Sequence, residues 1–72
     1  MQQETERLTE TPKGRVIIEK TELSAKIAKL ENFLKSAECK VLKKRSRKLL
    51  KRQLKAMIKY KEILSERLLF WD

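Results

Sequence analysis

Apolar residues recur along this chain in two helical registers separated by a short aperiodic stretch. In the first, Val16, Leu23, Ile27, Leu30 and Leu34 follow the three-four spacing of one helix face. Lys20 stands where the series expects an apolar residue; its stem can lie along the seam while the amine reaches water. Ile17, Ile18 and Phe33 widen the stripe. Upstream, Thr11-Pro12 marks a helix start, because Thr is a favoured N-cap and Pro suits the first helical position, where no N–H is needed. The pattern predicts a helix from Pro12 to about Lys35. Glu22/Lys26 and Glu31/Lys35 support it as i,i+4 pairs worth about 0.2–0.5 kcal/mol each.

Ser36-Ala37-Glu38-Cys39-Lys40 breaks the period and predicts a connection. It holds neither glycine nor proline, so one continuous helix is the alternative. Beyond it, Leu50, Gln53, Leu54, Met57, Tyr60, Leu64 and Leu68 share one arc of a helical wheel. Lys44, Lys48, Lys51, Arg52, Lys55 and Lys59 share the opposite arc, which predicts a strongly amphipathic second helix over about Lys43–Phe70. Gln53 and Lys61 intrude on the apolar arc, either as marginal residues that reach solvent or as polar markers of register in a bundle. A short connection makes the two helices antiparallel neighbours. The expected fold class is all-α, an antiparallel two-helix hairpin over residues 11–72. Residues 1–10, polar and without a period, read as a mobile tail.

Size decides what else that hairpin requires. A 72-residue chain buries a small core, and below roughly 70–80 residues such a core seldom supplies more than about 3–5 kcal/mol. With one cysteine and no histidine, an internal disulfide and a structural zinc site are both excluded. A second copy is the remaining device. The stripes predict a homodimeric four-helix bundle with Val16, Leu23, Ile27, Leu30, Leu34, Leu50, Leu54, Met57, Leu64 and Leu68 as its core.

Charge then changes the picture. The chain carries nineteen Lys+Arg against ten Asp+Glu, a net +9. Eleven of those bases lie within residues 39–61, a tract with no acid at all, so the positive character belongs to the connection and the first two-thirds of the second helix. Like charges at i,i+4, as in Lys44/Lys48/Arg52 and Lys51/Lys55/Lys59, oppose helix formation by a few tenths of a kcal/mol each. Three uses fit: an acidic protein surface, the phosphates of a nucleic acid, or solvation alone. Sequence-specific readout is not indicated, since no helix-turn-helix, zinc-ligand set or zipper accompanies the tract. Tyr60, the one nearby aromatic, lies at its edge on the apolar arc.

Other candidates are weaker. Leu68-Leu69-Phe70-Trp71 is too apolar for one helix face to hide. It either packs onto the first helix or a second copy, or inserts into a membrane surface beside the basic helix. The bases around Cys39 favour a reactive thiolate, although a lone thiol in a connection is usually incidental. Without histidine, a Gly-rich loop or an inward carboxylate pair, acid–base catalysis lacks its usual groups, so no enzyme activity, cofactor, metal or small-molecule substrate is expected. The longest apolar runs fall far short of the ~20 residues that span a bilayer. The first ten residues carry three glutamates and no apolar stretch, unlike a secretory signal. These points predict a cytoplasmic protein with Cys39 reduced.

Several ordered pieces carry a resemblance: Thr11-Pro12 with Arg15-Val16, Glu19-Lys20 with Glu22-Leu23, Lys26-Ile27 with Lys29-Leu30 and Phe33, and Arg52-Gln53-Leu54 with Met57, Tyr60, Ile63-Leu64 and Glu66-Arg67. Over about residues 11–68 the chain resembles a group of small accessory proteins of tailed phages and prophages of Gram-negative bacteria. The resemblance implies a helical hairpin, residence in the host bacterial cytosol, and action on host defence or physiology by binding. It brings no catalytic residues. The chain departs from that group at Lys40–Lys48, where the group is acidic or mixed. Taken together, the expectation is a protein that binds and modulates a host protein through Lys44, Lys48, Lys51, Arg52, Lys55 and Lys59. A non-specific nucleic-acid binder is the alternative, and a membrane-surface binder the third reading.

Overall fold

In the computed structural model, which describes residues 10–71, the chain is all-helical and has no strand among those residues. Three helices follow in order: α1, Pro12–Leu34; α2, Ala37–Lys40; and α3, Lys44–Leu69. The expected tail lies outside the described residues except for Glu10, an exposed turn residue.

The first helix starts for the reason its sequence suggests. Thr11 is extended (φ −117°, ψ 148°), and its Oγ1 accepts from Gly14 N at 2.9 Å, while Pro12 occupies the first turn. One of the N–H groups that has no intrahelical partner is thereby satisfied. The end of α1 is set by Ser36. Its hydroxyl donates to the Phe33 carbonyl at 2.6 Å and accepts from Cys39 N at 3.3 Å, so one side chain both closes α1 and caps α2. The expected pentad connection is therefore largely a four-residue helix. This corrects the reading of the stretch as aperiodic linker: four residues are too few to show a period.

The core is a single seam. Val16, Leu23 and Ile27 of α1 cluster with Leu64 of α3, and Leu54, Met57, Leu68 and Trp71 pack against them half-buried. Leu64 is the one described side chain with no exposure at all. Tyr60 on α3 donates to the Glu19 carboxylate on α1, so the early part of α1 lies beside the later part of α3. Leu30, Leu34 and Leu50, nearer the connection, are only half-buried. So is Lys20, the polar member of the α1 stripe.

Two magnitudes follow. Leu64→Ala should cost about 2–5 kcal/mol, since it removes the best-buried side chain from a core this small. Thr11→Ala should cost about 1 kcal/mol through loss of the cap. Val41→Ala, at a residue 84% exposed, should change stability by less than about 0.5 kcal/mol. Urea denaturation followed by circular dichroism checks all three, and a Leu64→Ala effect as small as that of Val41→Ala would contradict the seam.

Candidate anion-binding face of the third helix

The basic face is built by the inward turn of its opposite side. With Leu64, Met57, Leu54 and Leu68 facing α1, residues about 180° away on the 100° wheel must face solvent. Lys44, Lys48, Lys51, Arg52, Lys55 and Lys59 are all exposed. They run over about 22 Å of one helix at 1.5 Å per residue. Arg47 differs. It lies half-buried on the flank toward the core, and its Nε is shut off from solvent without a hydrogen-bond partner.

At the start of α3 the row becomes concave. Lys44, Arg45, Lys48, Leu49 and Arg52 line an open groove of about 510 Å³. Three of the expected binding residues lie in it: Lys44, Lys48 and Arg52. Lys51, Lys55 and Lys59 continue the exposed row outside the groove lining. Arg45 and Leu49 are additions that the wheel pattern misses, because both fall between the two arcs. Lys43, the N-cap residue, makes no side-chain capping bond, and the first turn contains no acid.

That local arrangement is electrostatically unfavourable as it stands. The helix N-terminus carries the positive end of the macrodipole and N–H groups without intrahelical partners. Here it also carries Lys44, Arg45, Arg47 and Lys48, where each cation opposes the dipole by about 0.3–1 kcal/mol when exposed at low salt. An anion held among the heads of these cations would relieve the repulsion among them. Leu49 and the stems of the long side chains supply an apolar floor beneath the charged heads.

Other sequence candidates separate clearly. Cys39 is 3% exposed and free, on α2, and is shielded from the solvent that a sensor thiol needs. Trp71 packs half-buried against the core, whereas Leu69 and Phe70 are each 75% exposed. Gln53 is exposed, with its Nε2 3.9 Å from Met57 Sδ, and Lys61 is half-buried. No described helix is long and apolar enough to cross a membrane, and no metal-binding group of His, Cys, Asp or Glu occurs among the described residues.

A family model described as Sequestin matches residues 10–69, which takes in all three helices and the groove. No curated protein and no solved structure matches the chain.

Burial of Cys39 has a direct consequence. In the native protein its thiol should react with an aromatic disulfide reagent more than about tenfold slower than in denaturant. Equal rates would mean that α2 does not hold its Cys39 face against the rest of the protein.

Proposed function

The chain belongs to the Sequestin family, and we propose that this member works by binding an anionic, phosphate-bearing partner on the basic face of α3. One observation carries the reading. Four cations surround an apolar-floored groove at a helix start that has neither a side-chain cap nor an acid in its first turn. The groove's volume falls in the range of ligand sites, about 300–1,000 Å³. Arginine and lysine heads suit phosphate oxygens, and Leu49 suits the flat apolar part of a nucleotide or nucleic acid. Binding, not conversion, is the expected outcome, since the residues around the groove include no group suited to acid–base or nucleophilic chemistry.

A second reading is an acidic surface on a host protein, favoured by the length of the row. Lys51, Lys55 and Lys59 extend it well past the groove, which a small ligand would leave unused. In both readings the protein is a phage-encoded accessory protein of the host cytosol, as its resemblance implies. Its two long helices form an antiparallel hairpin, and a second copy completes the bundle.

Replacing Lys48, Lys51 and Lys55 together with Glu tests the site. The change turns the Lys44/Lys48/Arg52 row into one of alternating charge, so the helix should persist by circular dichroism. Affinity for a labelled single-stranded oligonucleotide, read by fluorescence anisotropy, should fall by on the order of 100-fold or more. For the unchanged protein, log K should fall with log salt by about 0.7 per phosphate contacted, with little sequence preference. Weak oligonucleotide binding, alongside capture of an acidic host protein that the same triple change abolishes, would favour the second reading. Binding left untouched by the triple change would remove the basic face from either one.

A further inference from the structure

The basic row and the core seam do not use up α3. Between them runs a third strip at a spacing of seven: Leu49, Ala56, Ile63 and Phe70. All four are exposed, with Leu49 at 51%, Ile63 at 43% and Phe70 at 75%. Tyr60, 42% exposed, borders the strip between Ala56 and Ile63. A seven-residue repeat of apolar positions, sustained over about 32 Å of helix, is the form of a helix–helix seam. Nothing among the described residues covers it, because α1 occupies the neighbouring face.

We propose that this strip is the surface on which a second copy docks, α3 against α3 in antiparallel order about a two-fold axis near Lys59 and Tyr60. The inference rests on the homodimer in the reading above and moves its contact from the Val16/Leu64 stripes, which the single chain already uses, to a face that α1 leaves open and that shares Leu49 and Arg52 with the groove. Charge fixes both occupant and direction. A parallel pair would lay one acid-free tract, residues 39–61, alongside another, cation facing cation along most of the seam. An antiparallel pair offsets the tracts and brings a later acid, Glu66, beside the basic part of the second helix. Arg52 and Glu66 lie on the same flank of the strip, seven positions to either side of Lys59. Antiparallel pairing about that residue therefore sets Arg52 against Glu66 of the second copy, and the two-fold repeats the contact. Lys59 meets its own copy at the axis, the one like-charge contact on that flank. A self-complementary strip also accounts for exposed Leu49, Ile63 and Phe70 on one line of a chain this small.

Sedimentation equilibrium at tens of micromolar, with circular dichroism alongside, tests the face. The unchanged protein should be dimeric. Ile63→Lys should weaken association by on the order of 100-fold with helicity unchanged, because it buries an unpaired charge only in the dimer. Phe70→Lys, at a residue three-quarters exposed, should do the same and guards against an effect of Ile63 on folding. Ala28→Lys, on the exposed face of α1, should leave the dimer intact. For direction, Arg52→Glu and Glu66→Arg should each weaken the dimer, and the double exchange should restore it. A monomeric unchanged protein overturns both the dimer and this face. A dimer indifferent to Ile63→Lys and Phe70→Lys overturns the face and leaves the dimer reading standing. A dimer that both lysines dissociate, but that the double exchange fails to restore, overturns the antiparallel order.

Discussion

The structure depends on the burial of Leu64 among Val16, Leu23 and Ile27. No disulfide links the helices, and no described metal site replaces one, so this seam and its half-buried border hold α1 to α3. At about 25 cal/mol per Å² of apolar area, a core of so few residues leaves little margin over the conformational entropy it must offset. The Tyr60–Glu19 hydrogen bond adds direction, fixing which part of α1 meets which part of α3. Because the seam fixes the rotation of α3 about its own axis, it decides which residues face outward. The basic row and the Leu49/Phe70 strip are both consequences of that single choice.

The charge arrangement gains its meaning from the same rotation. Cations at the start of α3 work against the helix dipole and against one another, and folding of the chain alone does nothing to relieve either effect. Natural sequences are mostly consistent from local preference to global fold, and departures concentrate where function requires them. An uncapped first turn whose charges are all positive is such a departure. It lies beside a groove, whereas the ends of α1 and α2 are orderly: Thr11 caps the first, and Ser36 joins the two.

Much of this was legible in the sequence. Thr11-Pro12 announced the start of α1 because a cap and a proline act through strictly local chemistry. The extents of α1 and α3 followed from apolar period and came within a residue of each observed end. What escaped was short or lay between patterns. The four residues of α2 are held by the double hydrogen bonding of Ser36, which no periodicity reveals. Burial of Cys39 follows from that small helix and so escaped with it. Arg45 and Leu49 sit between the two arcs of the wheel, where neither the apolar nor the basic stripe claims them, yet together they complete the groove. Leu30, Leu34 and Leu50 fit the stripes but lie toward the connecting end, beyond the reach of the buried cluster.

The central claim is that the start of α3 is a site for anions and that its unfavourable charge is relieved by a phosphate. Amide ¹H–¹⁵N shifts recorded while a short oligonucleotide is titrated, at low and then high salt, read that claim residue by residue. The account predicts shifts concentrated at Lys44–Arg52 that collapse as salt rises. Shifts that instead gather at Phe70 and Trp71, or no shifts at low salt, would contradict it.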